Sequence, residues 1–138
     1  MMMKTKIVAH LLIKNQKGQY LILKRSLDND VLPGFWDIPG GSVEDGESVS
    51  EGLRREVKEE TGLSITDDPK IIGFIEFVDK VKDTHFVKLV FSSSVEAEDD
   101  SVVVNSSEHS EYRWVAKSEV DNLRLVEYLG TIFHQIND

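Results

Sequence analysis

The chain contains no cysteine. That excludes disulfides, thiolate nucleophiles and cysteine-ligated metal sites, and it suits a reducing compartment. No apolar run approaches the roughly 18 residues a membrane-spanning helix needs. The longest candidate, Ile7 to Ile13, is interrupted by His10 and reads as a strand. The opening MMMKTK lacks the apolar stretch and cleavage site of a secretory leader. The expectation is therefore a cytoplasmic protein with no membrane partner. Positive charge is also in deficit: 16 Lys and Arg face 25 Asp and Glu, for a formal net charge of −9. Stable nucleic-acid binding, which depends on neutralising phosphates with cationic side chains, is not expected. No repeat and no linker is visible. What is present is a chain of 138 residues, 40% apolar and 30% charged, enough for one domain across 1–138 with its own core.

Residues 5–14 and 19–25 read as two strands joined by Asn15-Gln16-Lys17-Gly18, a hairpin turn with glycine where φ must be positive. Residues 26–35 read as a loop turning at Pro33-Gly34, and Phe35 to Ile38 as a short strand that Pro39-Gly40-Gly41 interrupts. The segments 70–79 and 84–97 read as a long hairpin turning near Lys82-Asp83. A polar loop, 98–110, carries a candidate short strand at Val102–Val104, and Tyr112 to Ala116 is the last strand. A closing helix over 125–136 aligns Leu125, Leu129, Ile132 and Ile136 on one face. Strands flanking isolated helices predict a mixed sheet covered on both sides.

The most specific segment is GSVEDGESVSEGLRREVKEETGL, residues 41–63. Ser48 and Glu51 form a capping-box pair and Gly62 suits the position just past a helix end, so a helix is predicted over about 48–61. Val49, Leu53 and Val57 form the stripe that docks it. Glu56, Glu59 and Glu60 stand at i, i+3 and i+4 and share one side, with Gly52 falling between Glu56 and Glu59 and leaving room above them. Like charges this close repel, which makes a poor helix without a cation. Clustered hard oxygen ligands suit Mg²⁺ or Mn²⁺. A solvated acidic helix face is the plainer alternative.

Gly41, Glu47, Arg55, Glu56, Val57, Glu59, Glu60, Gly62 and Leu63 stand in one fixed register. Accidental agreement at all these positions is expected about once in 10⁷ to 10⁸ chains of this length. The segment resembles the Nudix box, the signature of the Nudix hydrolases, without departure at any specified position. The resemblance implies an α/β/α sandwich with a mixed β-sheet, and hydrolysis at phosphorus by water, assisted by Mg²⁺ (or Mn²⁺). It implies Glu56, Glu59 and Glu60 as metal ligands, with a backbone carbonyl from the Gly40-Gly41 pair, assigned here to Gly41. It implies a structural ion pair between Glu47 and Arg55. A carboxylate outside the box often serves as base: Glu111, just ahead of a Trp-containing strand, is the first choice and Glu108 the second, with a box glutamate such as Glu59 or Glu60 as the alternative.

Further resemblances concern the substrate. Arg25, ending the second strand, matches a family phosphate contact, and its guanidinium suits bidentate phosphate recognition. Phe35 and Trp36 stack on a base or pack in the core. Asn122, with Asp121 and Arg124, lies where some relatives read the base edge; Trp114 reads as core. His10, His85, His109 and His134 show no metal-ligand spacing and read as surface or half-buried residues. The markers of ADP-ribose, dinucleoside-polyphosphate, NADH and coenzyme A hydrolases are missing downstream of the box. The bare architecture looks most like MutT-type enzymes that cleave nucleoside triphosphates to monophosphate and diphosphate. ADP-ribose, dinucleoside polyphosphates and nucleotide sugars are alternative substrates. A non-catalytic nucleotide sensor and a simple acidic cation binder are alternatives of another class. The partner expected is a small nucleotide, and a homodimer is left open.

Overall fold

Apolar residues alternate along the first two strands, and the two sets face opposite sides of one sheet. The computed structural model describes residues 3–95, 101–105 and 107–136. Its elements run β1 (Lys4–Lys14), β2 (Tyr20–Arg25), β3 (Trp36–Asp37), β4 (Gly40–Ser42), α1 (Val49–Thr61), β5 (Lys70–Asp79), β6 (Thr84–Ser94), β7 (His109–Val115), a 3₁₀ turn Lys117–Asn122 and α2 (Glu127–Gln135). Leu12, Tyr20 and Ile22 face α2 and pack on Leu129, Ile132 and Phe133. Ala9, Leu11, Ile13, Leu21 and Leu23 face α1 and pack on Leu53 and Val57. This period-two partition is what a strand buried on both faces requires. It makes the predicted α/β/α sandwich around a mixed seven-stranded sheet.

The sheet splits where the chemistry lies. β1 runs parallel to β6 along its whole length, Lys4↔Thr84 to Lys14↔Ser94. β1 meets β2 only at the hairpin, Lys14↔Tyr20. Beyond it the strands part. β3 pairs with β2 (Leu23↔Asp37) and β4 pairs with β1 (Ala9↔Gly41). Residues 36–42 therefore cross the gap from one strand to the other, and the Pro39 carbonyl accepts from the N–H of Leu11 at 2.8 Å. Pro39-Gly40-Gly41 interrupts the strand as expected, and the chain changes its pairing partner there, from β2 to β1. A proline at the crossing costs no ladder bond, since its missing N–H is not needed there.

Helix α1 starts on the expected capping box, with both Ser48–Glu51 bonds at 3.1 Å. It stops at Gly62, which takes φ 75° and returns its N–H to Lys58. Capping of this kind contributes about 1 kcal/mol. Several elements differ from expectation. Leu125 precedes α2 and bridges Trp36, so the helix begins at Glu127 and its buried face is Leu129, Ile132 and Phe133. The 3₁₀ turn before it was not foreseen. The last strand begins at His109, pairing with Arg25. Val102–Val104 forms no strand: Val102 is buried under α1, and the Val103 N–H bonds the Thr61 carbonyl at 2.9 Å. The expected strand residues 96–97 and loop residues 98–100 and 106 lie outside the described residues. No described helix is long and apolar enough to cross a membrane.

Candidate active site

The split between β1 and β2 opens a cleft of about 390 Å³. Its lining comes from separate stretches of chain: His10, Arg25, Asn29, Asp37 and Ile38, Gly40 to Ser42, Glu56 and Glu60 of α1, and Glu108 with His109 at the start of β7. A larger hollow of about 830 Å³ lies beside Lys14, Lys70 and Ile136 and gathers none of the box residues. The smaller cleft is where the ionisable groups converge.

On the box side, Arg55 organises the wall. Its Nε donates to Glu47 Oε2 at 2.8 Å and one terminal nitrogen to Glu47 Oε1 at 3.0 Å, so the ion pair expected between these two residues forms in bidentate geometry. The same guanidinium donates to the Ser42 carbonyl at 3.0 Å, to Glu56 at 3.1 Å and to Glu59 at 3.3 Å. The hydrogen-bonded guanidinium holds the Glu47 carboxyl down to about 2. One cation thus ties the loop, the strand and the acidic helix face together, as an exposed pair alone would not.

The glycines at the mouth are required by contact. A Cβ on Gly41 would stand 2.5 Å from Glu56 Cδ. A Cβ on Gly40 would stand 2.2 Å from the Ala9 carbonyl oxygen. The backbone N–H of Gly40 instead donates to Glu60 Oε2 at 2.7 Å. Gly52 does not leave room over the carboxylates as expected. A Cβ there would meet Glu47 at 3.1 Å and Val43 at 3.2 Å, so the space is taken by the loop 43–47 folding over the helix.

The acidic triplet divides. Glu60 is buried and Glu56 partly buried, both lining the cleft, whereas Glu59 is exposed at the rim on Arg55. Burial, with Glu56 and Glu108 adding to it against the Gly40 N–H, pushes the Glu60 carboxyl up to about 9. Burial also raises Glu56, against Arg55. Oxygens of Glu60 and Glu108 and a ring nitrogen of His109 lie within 4.8 Å of one another. A buried carboxylate beside two others, with one N–H donor, lacks positive charge, and a divalent cation fits that deficit. The donor set, mostly hard oxygen, suits Mg²⁺ or Mn²⁺.

Several predicted site residues fall elsewhere. Glu111 lies outside the cleft lining, exposed and 3.5 Å from Arg113, while Glu108 lines the cleft, so the sequence ranked the two in the opposite order to their positions. Trp36 is a core residue, 4% exposed, with Arg113 over its ring at 4.9 Å, and has no free face for a base. Phe35 is half-buried on the same core under Arg124, 4.5 Å from its ring. Asn122 is exposed at the end of the 3₁₀ turn and does not line the cleft. Arg25 does line it, with its Nε on the Val31 carbonyl at 2.9 Å. Trp114 packs partly buried on the α1-side core.

Sequence reasoning missed Asp37, His10 and His109. All three are buried and line the cleft, and the Nδ1 atoms of both histidines have no hydrogen-bond partner among the described residues. Burial lowers His10 to about 4, so it is neutral at physiological pH. The available signal was a lone polar residue inside an apolar strand: His10 in IVAHLLI and Asp37 in FWDI. His85 is half-buried and pairs with Glu76 at 2.8 Å, and His134 is exposed.

A sequence profile of the NUDIX domain matches residues 3–135. A nucleoside triphosphatase NudI of Klebsiella pneumoniae subsp. pneumoniae is 36% identical over 124 residues, 83% of this chain and 84% of that protein. A second NudI, from Klebsiella pneumoniae strain 342, is 32% identical over 133 residues, 89% of this chain and 90% of that one. The crystal structure of a MutT protein from Methanosarcina mazei Go1 superposes with a TM-score of 0.80 at 33% identity, covering 98% of this chain and 94% of its own. The chain belongs to the Nudix family, and it is a Nudix hydrolase, a pyrophosphohydrolase.

Proposed function

We propose that this protein hydrolyses a nucleoside triphosphate to the monophosphate and diphosphate, with Mg²⁺ or, in its place, Mn²⁺. The observation that carries the reading is the meeting of Glu56, Glu60 and Glu108 with Arg25 in one cleft. It joins an anionic pole that takes a cation to a cationic group that takes phosphate. The relatives named as nucleoside triphosphatases align over most of their length, which supports this substrate class.

In this reading Glu56, Glu60 and the Gly41 carbonyl hold the cation, with Glu59 joining from the rim. A divalent cation held by these residues would supply positive charge against the phosphate oxygens and the leaving diphosphate. The chain's own groups do the rest. Arg25 orients a phosphate. Glu108 is the carboxylate outside the box placed to accept the proton of the attacking water, in preference to Glu111. The Gly40–Gly41 backbone lets phosphate approach without side-chain hindrance.

The test is a panel of nucleoside triphosphates, ADP-ribose, dinucleoside polyphosphates and nucleotide sugars, each with Mg²⁺ and with Mn²⁺, with diphosphate and monophosphate quantified. Diphosphate from one or a few triphosphates is expected. Turnover of only ADP-ribose or a dinucleotide would replace the substrate class, and silence across the panel would overturn the reading.

A further inference from the structure

Beneath the cleft, side chains from separate elements converge on the Asp37 carboxylate. Asp37 is 5% exposed. Its Oδ1 accepts the Tyr128 hydroxyl, from α2, and the N–H of Ile38 at 2.8 Å. Its Oδ2 faces the Arg25 Nη1 at 3.7 Å and His10 Nε2 at 4.0 Å. Lys88 of β6 closes the cluster, its amino group 3.9 Å from the Tyr128 ring centroid.

A buried carboxylate in this place needs a reason. It lines the same cleft as Glu56, Glu60 and Glu108 and adds another negative charge to a site that must admit a polyanion. Buried charge is costly unless paired, and the pairing here is lopsided. Tyr128 and Ile38 satisfy one oxygen without charge. His10, kept neutral by burial, brings none to the other. The cation at 3.7 Å is Arg25. Arg25 is gripped at a second point, its Nε on the Val31 carbonyl at 2.9 Å, which leaves the remaining guanidinium edge to the cleft. Two fixed points on a planar guanidinium set its direction, and a preorganised arginine loses less freedom when it takes a phosphate.

We propose that Asp37 is a positioning residue that fixes the Arg25 guanidinium toward the cleft, so that phosphate binding depends on Asp37 through Arg25. The inference rests on the triphosphate reading of the cleft. Electrostatics and positioning predict opposite signs. Removing a negative charge beside a polyanion site should, by Coulomb's law alone, tighten nucleotide binding. Loss of positioning should weaken it.

The experiment compares wild type, Asp37→Asn, Arg25→Ala and the double variant. It measures nucleoside triphosphate affinity with Ca²⁺ in place of the catalytic cation, KM and kcat with Mg²⁺, and the order of the Arg25 Nε–H by ¹⁵N relaxation. Asparagine keeps an acceptor for Tyr128 and Ile38 and loses the charge that faces Arg25 and acts on Lys88. The expected result is about tenfold weaker binding in Asp37→Asn, seen mainly in KM, with mobility gained at the Arg25 Nε–H. The double variant should bind no more weakly than Arg25→Ala alone, since coupled residues are not additive. Tighter or unchanged binding in Asp37→Asn, an Arg25 Nε–H as ordered as in wild type, or losses that multiply in the double variant would each overturn the proposal. If Asp37→Asn does not fold, Asp37→Glu keeps the charge and displaces it. Wild-type affinity in that variant would equally overturn the role. Inactivity of the wild type on every triphosphate would sink the substrate reading, while the Arg25 relaxation measurement would still decide whether Asp37 holds the guanidinium.

Discussion

The two walls of the cleft are built on different length scales. The box wall, residues 40–60, is local: Arg55 reaches Glu47, Ser42, Glu56 and Glu59, all within 13 residues of itself. The facing wall takes Arg25 from β2, Asp37 from β3 and Glu108 and His109 from the start of β7. Those residues meet only because β2 pairs with β3 on one side and β7 on the other. A wall made from helical spacing and a capped turn can be read as a pattern. A wall made from strand pairing has no such pattern, and its members look like ordinary surface or core residues until the sheet is assembled.

The comparison predicts a ranking of effects. The largest is expected on the box wall at its buried end. Glu60→Gln should cut kcat by about 10³-fold and Glu59→Gln, at the rim, by less, since electrostatic stabilisation by a preorganised group is typically worth about 10²–10³-fold. Steady-state kinetics with Mg²⁺ checks this, and equal losses at Glu59 and Glu60 would erase the distinction between buried and rim carboxylates. Gly41→Ala comes next. Its methyl would collide with the Glu56 carboxylate, so a loss of about tenfold or more in kcat is expected, along with a weaker affinity for Mn²⁺ measured by titration.

The facing wall is sharpened by a pair of variants. Glu108→Gln should lower kcat by about 10²-fold with Mn²⁺ affinity largely kept, the size expected of a general base, whereas Glu111→Gln should stay within about twofold of wild type. The reverse order would return the role to Glu111, the residue favoured by its position before the Trp-containing strand.

A further effect is on stability, and its sign follows from Glu60. Its folded carboxyl lies at about 9 against 4.5 for an ordinary glutamate. A raised carboxyl contributes stability that is full below the unfolded value and is lost as pH rises through the folded one. Metal-free protein should therefore lose Tm between pH 4.5 and about 9, more steeply than Glu60→Gln does. Mg²⁺ should flatten the wild-type profile, because the cation replaces the proton. Scanning calorimetry in a chelator and then in excess Mg²⁺ tests this; parallel wild-type and Glu60→Gln curves would mean that Glu60 is solvated and not buried.

Most of the secondary structure was legible because its signals are short-range. Ser48, Glu51 and Gly62 marked both ends of α1, and the Asn15–Gly18 turn marked the first hairpin. The errors share one cause. Leu125 continues the apolar spacing of α2 but is taken by Trp36 through a strand bridge, and Val102–Val104 looks like a strand but fills the end of α1 instead. In both, a distant partner outweighed the local pattern. Gly52 was misread for the same reason: helical geometry gives its direction but not that loop 43–47 folds over it.

Residues 41–63 therefore carried the family, the helix and the acidic face in their own spacing, because each of those depends on contacts a few residues apart. Which carboxylate faces the cleft from outside the box, why Trp36 is core and not a stacking surface, and how Asp37 comes to lie against Arg25 follow from the parting of β1 and β2 and the crossing of residues 36–42 between them. Strand partners are chosen by the packing of the whole sheet between its two helices, and that choice is made over sequence separations that no local pattern records.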